Sequence, residues 1–176
     1  MIIMKNEIPI IAREAHVQDA AQLVDFVTHL SQETELYIVL QPGEFTLTVE
    51  EEAELLNKYA LSDNSAYFVA EADGQIVGGL NLKGGTRAGN RHCAVLGISV
   101  GKGWRGVGVG SQLMAHAIQW ARQSGVLKRI ELFVFVENEP ALHLYEKFGF
   151  MIEGRLRKAV YRHERFYDDY LMALLL

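Results

Sequence analysis

The sequence is poor in residues that cross-link or interrupt a fold. Its 176 residues include one cysteine, Cys93, and three prolines. A single thiol cannot form an intramolecular disulfide, so the core must hold the fold, and this usage is typical of a reducing compartment. No apolar run approaches the ~20 residues that span a bilayer, and the first residues lack the apolar segment of a signal peptide. These absences predict a cytoplasmic protein that does not bind membranes.

The chain also lacks an excess of positive charge. Seventeen Lys and Arg stand against 22 Asp and Glu, which gives a net charge of -5. Proteins that bind nucleic acids in general are usually basic, so we expect no nucleic-acid partner. The six histidines show no close pairing such as H-x-x-x-H, so we also expect no metal. The length and the 49% hydrophobic content suit one globular domain, residues 1–176.

Apolar periodicity predicts strands and helices along the whole chain. The Asp73-Gly74 pair between two apolar runs indicates a hairpin. The predicted strands are Ile8–Arg13, Ser65–Glu71, Ile76–Lys83, Cys93–Val100, Arg129–Val136, Met151–Tyr161 and Arg165–Leu174. The predicted helices are Val17–Leu30, Thr48–Leu61, Gly108–Ser124 and Pro140–Phe148. This order predicts a single α/β domain with a mixed sheet.

Five of the 16 glycines fall within residues 101–110, between a predicted strand and a predicted helix. We call this segment the glycine-rich loop. Glycines let backbone amides approach a ligand closely, and a helix N-terminus favours negative charge. Lys102 and Arg105 add two cations to the same segment. The chemistry of the loop therefore predicts a phosphate or pyrophosphate ligand.

Two familiar nucleotide-binding motifs do not fit this loop. Gly101, Gly103 and Gly106 formally match G-x-G-x-x-G, but the chain does not continue with the βαβ units of a dinucleotide-binding fold. The loop is not a P-loop either, because no Gly-Lys-Ser/Thr closes it. Both motifs are rejected on their context.

A third motif in the same loop fits its context. The stretch Arg105–Gly110 (RGVGVG) resembles the Q/R-x-x-G-x-G/A pyrophosphate-binding motif of the GNAT superfamily of N-acetyltransferases. The stretch Asn138–Phe150 (NEPALHLYEKFGF) resembles a second motif of that superfamily, N-x-x-A-x-x-L-Y-x-x-x-G-F. Both motifs stand in the family's order, and the resemblance covers nearly the whole chain. It implies one GNAT-like domain with a mixed, mostly antiparallel central sheet of about seven strands and about four helices.

The resemblance also implies that acetyl-CoA is the co-substrate, bound along the strand and the loop that follows it. The pantetheine arm would pair with backbone groups of Ile98 and Val100 as an added strand does. The pyrophosphate would lie on the amides of the glycine-rich loop. Asn138 would either hold a pantetheine amide or cap the helix that follows it. The predicted cofactor-binding residues are Ile98, Val100, Arg105, Gly106, Val107, Gly108, Gly110, Ser111, Asn138 and Ala141.

Acetyl transfer to an amine needs a neutral amine, donors for the carbonyl oxygen and a proton for the departing thiolate. The resemblance implies that Tyr145 is the general acid that protonates the sulfur. The predicted function is transfer of acetyl from acetyl-CoA to a primary amine within a ternary complex. The acceptor would be a small amine, an amino acid or a protein N-terminus. The alternative is a catalytically silent acyl-CoA-binding module.

Two departures from the family pattern affect the acceptor side. Many relatives have an acidic residue where this chain has Val95, so the general base is unassigned. Glu33 and Glu35 follow the first predicted helix and could orient a cationic amine, although surface solvation explains them too. The branch that acts on amino acids or protein N-termini often has Asn-Gly-Glu-Tyr in its last hairpin, and residues 163–166 here read His-Glu-Arg-Phe. The resemblance further implies that the C-terminal strands can form a homodimer.

Overall fold

A computed structural model describes residues 3–5, 8–33 and 37–176 of the chain. Within these residues the chain forms eight strands and four helices. The strands are β1 (Ile3–Lys5), β2 (Ile8–Glu14), β3 (Ala66–Ala72), β4 (Gln75–Gly84), β5 (Cys93–Val100), β6 (Arg129–Phe135), β7 (Met151–Arg162) and β8 (Arg165–Leu175). The helices are α1 (Ala20–Ser31), α2 (Val49–Ala60), α3 (Val109–Gln123) and α4 (Glu139–Lys147). The predicted first helix begins with a 3-10 turn over Val17–Asp19.

One sheet contains all eight strands, in the order β1-β2-β3-β4-β5-β6-β8-β7. Every neighbouring pair is antiparallel except β5 and β6, which are parallel. The predicted α/β fold with a mixed, mostly antiparallel sheet is confirmed. The strand in addition to the seven predicted is β1, which pairs with β2 at the edge of the sheet.

The parallel pairing of β5 with β6 covers only their first residues. Cys93, Ala94 and Val95 pair with residues 129–131, and beyond Val95 the two strands no longer pair with each other. Ile98 and Val100, near the end of β5, pair only on the β4 side. The sheet therefore opens between β5 and β6 beyond Val95. The backbone groups of β5 that face this gap have no neighbouring strand. This opening is the feature of the fold that positions the site.

Helices pack on both faces of the sheet. Helix α3 places Leu113 and Met114, both fully buried, in a large core with Phe68 and Leu80. On the other face, α1 and α2 contribute a smaller cluster that contains Val69, the neighbour of Phe68 on β3. Successive strand residues point to opposite faces, so this division follows from the alternation along β3.

Local sequence signals explain several element ends. Asp73 and Gly74 both have positive φ (50° and 73°), as a two-residue hairpin turn requires. Thr48 caps α2 by accepting a hydrogen bond from the backbone N–H of Glu51. The turn between β7 and β8 also has positive φ, at His163 (48°) and Glu164 (59°), although neither is glycine. The hairpin therefore forms without the glycine of the related branch.

Among residues 3–5, 8–33 and 37–176, no helix is long and apolar enough to cross a bilayer. Strand β7 lies at the edge of the sheet and exposes Met151 and Ile152. The homodimer through the C-terminal strands and the cytoplasmic location stay predictions.

Candidate active site

A cleft of about 670 Å³ occupies the opening between β5 and β6. Its walls come from α1, the segment at 37–39, β3 to β6, the glycine-rich loop, α4 and β8. Two groups of lining residues matter for the chemistry. The glycine-rich loop provides Arg105, Gly106, Gly108 and Gly110, and the following helix provides Ser111. We call the second group, Tyr37, Phe135 and Asp169, the far wall.

The far wall lies on the face of the sheet opposite α3. In β6, Val134 belongs to the core that α3 covers, and Phe135 is the next residue, so the two side chains point to opposite faces. Asp169 of β8 lies directly across from Phe135 in the register and shares its face. The ring of Tyr37 packs on Phe135 with centroids 5.4 Å apart. The cleft therefore joins the two faces of the sheet.

The glycine-rich loop has the conformation of an anion cradle. Gly106 and Gly108 have φ of +74° and +97°, in the region that side chains disfavour. Gly108 also caps the 15-residue helix α3, whose first amides have no partner within the helix. At Gly110 a Cβ would lie 3.1 Å from Cδ2 of Leu144, so a side chain there would require Leu144 to shift. These features fit the pyrophosphate of coenzyme A.

Arg105 and Lys147 stand beside this cradle. Nε of Arg105 donates to the carbonyl of Val100 at 2.8 Å, and its Nη2 donates to Oε2 of Glu33 at 2.7 Å. Nζ of Lys147, in the last turn of α4, donates to Oγ of Ser111 at 3.3 Å. Sequence analysis did not select Lys147. The signal that could have identified Lys147 was its position within the second motif, two residues after Tyr145.

Tyr145 lines the cleft and is 94% buried, with its ring 5.9 Å from that of Phe150. Burial raises the pKa of its phenol to about 12. The hydroxyl is therefore protonated throughout the neutral range and can donate a hydrogen bond to a developing negative charge.

The cleft brings together nearly all of the predicted cofactor-binding residues. Ile98, Val100 and Ala141 line it with the glycine-rich loop. Asn138 lines it too, and its Oδ1 accepts a hydrogen bond from the amide of Ala141 at 3.3 Å, so the helix cap is present. Val107 does not line the cleft, because its side chain packs against the main core. The ligand contacts of these residues stay predictions.

The other acidic candidates lie in different places. Glu33 holds Arg105 as an ion pair, and Glu35 lies outside the described residues. Val95 is 40% exposed and does not line the cleft. Across residues 3–5, 8–33 and 37–176, no cluster of His, Cys, Asp and Glu could hold a metal ion.

Asp169 was not among the site residues predicted from the sequence. This residue is 6% exposed, and its Oδ1 accepts no hydrogen bond from any residue within the described ranges. Burial, and secondarily the charge of Asp168, raise the pKa of its carboxyl. Asp168 instead points away and accepts hydrogen bonds from Nε of Arg155 (2.9 Å) and the amide of Lys158 (2.8 Å). The sequence of an Asp-Asp pair does not indicate which carboxylate faces a cleft, because the register of β8 determines the face that each side chain meets.

Comparison with known proteins agrees with this geometry. A profile described as the Acetyltransferase (GNAT) family matches residues 27–150, which include both motifs. The chain belongs to this family. It is an N-acetyltransferase that uses acetyl-CoA, as its motifs predicted.

Relatives with named activities act on several kinds of amine. The L-amino acid N-acetyltransferase AaaT of Escherichia coli (strain K12) is 41% identical over 105 residues, which are 60% of this chain and 65% of that protein. A phosphinothricin N-acetyltransferase of Streptomyces viridochromogenes is 27% identical over 162 residues, 91% of this chain and 84% of that protein. An N-alpha-acetyltransferase of Sulfurisphaera tokodaii is 33% identical over 119 residues, 62% of this chain and 68% of that protein.

Solved structures share the fold over 95% of the chain. A GNAT family acetyltransferase from Streptococcus pneumoniae has a TM-score of 0.91 and 41% identity, covering 95% of this chain and 99% of that chain. A phosphinothricin acetyltransferase from Sinorhizobium meliloti, solved in complex with acetyl-CoA, has a TM-score of 0.82 and 16% identity, covering 95% and 88% of the two chains. The second likeness concerns the fold alone.

Proposed function

We propose that the enzyme transfers acetyl directly from acetyl-CoA to a primary amine while both substrates are bound. The observation that carries this proposal is the cleft through the sheet, which joins the glycine-rich loop to the far wall on the opposite face. Two substrates that enter from opposite faces can meet at the gap between β5 and β6. Holding them in this geometry supplies much of the rate, because a bimolecular step becomes effectively unimolecular.

The position of the one cysteine also supports direct transfer. Cys93 is the one thiol of the sequence, and it does not line the cleft. It lies at the start of β5, where that strand is paired with β6. An acyl-enzyme on this cysteine would be separated from the opening by the paired part of the sheet.

Several residues of the chain have roles in this proposal. The loop amides and Ser111 hold the pyrophosphate, and backbone groups of β5 hold the pantetheine arm along the open edge. Acetyl-CoA supplies an activated acyl group whose thiol leaves readily, since thiols ionise near ~8.5. Tyr145 donates a hydrogen bond to the sulfur and protonates it as it departs. Since the pKa of Tyr145, about 12, exceeds that of the thiol, the phenol gives its proton to the sulfur only as the acceptor nitrogen replaces that proton.

The proposed class of acceptors is broader than the substrate stated in the name of any one relative. The named relatives act on amino acids, on phosphinothricin and on α-amines. A small primary amine or a peptide N-terminus is compatible with all of them.

The test is thiol release from acetyl-CoA, followed with a thiol-reactive dye, across free amino acids, amino acid amides, polyamines, aminoglycosides and short peptides. We expect release only when an amine is added, and initial-rate lines that intersect when both substrates are varied. Parallel lines would indicate an acyl-enzyme and would contradict direct transfer. Release that no amine stimulates would contradict the proposed function.

A further inference from the structure

The buried carboxylate of Asp169 has no structural role that the described residues reveal. It is 94% buried, lines the cleft at the far wall and has an oxygen that accepts no hydrogen bond from the described part of the chain. A buried carboxylate without partners destabilises a fold, because ionised groups lose their hydration. A buried ionisable group that destabilises the fold and points into a cleft is a candidate for a functional site.

The charges around the cleft define what Asp169 could bind. Among the described residues that line the cleft, Arg105 is the one cationic side chain, and Glu33 already neutralises it. Arg162, which is buried behind the 37–39 segment, donates to the carbonyls of Glu33 and Ile38 and does not line the cleft. The described residues of the far wall (Tyr37, Phe135 and Asp169) thus carry one carboxylate and no cationic side chain, which suits a cation.

The remaining surface of the far wall is aromatic. The rings of Tyr37 and Phe135 pack together, and Tyr167 also packs against Phe135, with centroids 5.5 Å apart. Tyr167 is itself covered by the guanidinium of Arg165, 4.1 Å from its ring centroid. Aromatic faces attract ammonium groups and bury apolar side chains. An amine with an apolar or aromatic side chain fits this surface.

We propose that Asp169 binds the ammonium group of the acceptor and takes its first proton, and that the acceptor carries no carboxylate beside its amine. This inference rests on the proposed function and narrows its acceptor. Peptide N-termini, amino acid amides and simple apolar amines satisfy it. A free amino acid does not, since its carboxylate would lie near Asp169 without a cationic partner.

The proton balance of the step is complete. Asp169 takes one proton from the ammonium and releases it to solvent. The neutral nitrogen forms a bond to the acetyl carbonyl carbon, and the carbon–sulfur bond breaks. Tyr145 gives its proton to the sulfur, and the second proton lost by the nitrogen restores the phenol. The products are an amide, a free thiol and one proton. The raised pKa of Asp169 supports this role, because a more basic carboxylate accepts a proton more readily.

The test compares phenylalanine with phenylalaninamide, which share the side chain and differ in the carboxylate. Because the carboxylate also raises the pKa of the neighbouring amine, kcat/KM is expressed per concentration of the ammonium form of each compound. In the wild type we expect kcat/KM to be at least ~10-fold higher for the amide. In Asp169→Asn we expect kcat/KM for the amide to fall about 100-fold, because one partner of a buried charge pair is lost. The dissociation constant of phenylalaninamide, measured by calorimetry with coenzyme A present, should rise at least ~10-fold. The acetyl-CoA affinity and Tm should not fall.

Asp168→Asn is the matched control, because it removes the same charge one residue away on the opposite face of β8. We expect it to keep kcat/KM within about threefold. Hydroxylamine, which is neutral at neutral pH, is a second control acceptor. Asp169→Asn should slow its acetylation far less than that of phenylalaninamide, since no ammonium has to be bound.

Three results would overturn the inference while leaving the proposed function in place: a wild type that prefers phenylalanine, an Asp169→Asn variant with unchanged kcat/KM for the amide, or equal losses with hydroxylamine and the amide. A loss of activity that comes with weaker acetyl-CoA binding or a lower Tm would also count against it. If no amine stimulates thiol release from the wild type, the proposed function fails first.

Discussion

Replacing Tyr145 by phenylalanine removes one oxygen from the cleft and little else. The side chain is 94% buried on α4, and its ring packs near Phe150 with centroids 5.9 Å apart. Phenylalanine keeps the ring and therefore keeps this packing. The expected change in the free energy of unfolding is below about 1 kcal/mol, since the change preserves the shape of the side chain.

The loss in rate follows from the hydrogen bond to the departing sulfur. A hydrogen bond to a charged group contributes about 1.5–3 kcal/mol. Because each 1.36 kcal/mol in the activation free energy is about tenfold in rate, kcat should fall about 10- to 150-fold. Because burial raises the pKa of Tyr145 to about 12, its hydroxyl keeps the proton that it donates at every pH used in the assay.

The assay measures kcat by dye-detected thiol release and the acetyl-CoA dissociation constant by calorimetry. Tyr59→Phe is the matched control: Tyr59 is also a tyrosine with a pKa raised by burial, but it lies on α2 outside the cleft. We expect the control to keep wild-type kcat, and both variants to keep wild-type acetyl-CoA affinity. An unchanged kcat in Tyr145→Phe would refute the general-acid assignment. A parallel loss of acetyl-CoA affinity would show that the phenol acts in binding instead.

Three further changes test the cradle and the stability of the fold. Gly108→Val should weaken acetyl-CoA binding at least ~50-fold by calorimetry with the circular dichroism spectrum unchanged, because φ is +97° there and valine strains this conformation; normal affinity would remove the loop from the cofactor site. Glu164→Gly should raise stability in urea by about 1 kcal/mol, because it relieves a positive φ of 59° in the last turn, and lower stability would contradict this. Arg13 lowers the pKa of Asp19 through a side-chain hydrogen bond, so the stability that Asp19 contributes is present above about pH 4 and is lost as the pH falls through its folded-state pKa. Urea midpoints between pH 7 and pH 2 should fall less steeply in Asp19→Asn; an unchanged slope would contradict this assignment.

Much of the architecture could be predicted because its signals are local. Strand alternation, the Asp73-Gly74 turn and the glycines before α3 depend on residues that are close in sequence. The two motifs indicated the family and the cofactor side for the same reason, since the loop and α4 each present a continuous stretch of chain to the ligand.

The acceptor side could not be predicted in this way, because residues distant in sequence build it. Tyr37, Phe135 and Asp169 come from a loop and two strands, and only the pairing of β6 with β8 places the last two side by side. The same limit applies to Glu33, whose ion pair with Arg105 spans 72 residues of sequence.

The sequence by itself therefore determined the order of the elements, the anion cradle and the general-acid candidate, since backbone conformation and helix ends depend on nearby residues. The tertiary structure decided which carboxylate of the Asp168-Asp169 pair faces the cleft. A strand exposes alternate residues to opposite faces, and only its register against its neighbours determines which face each residue meets.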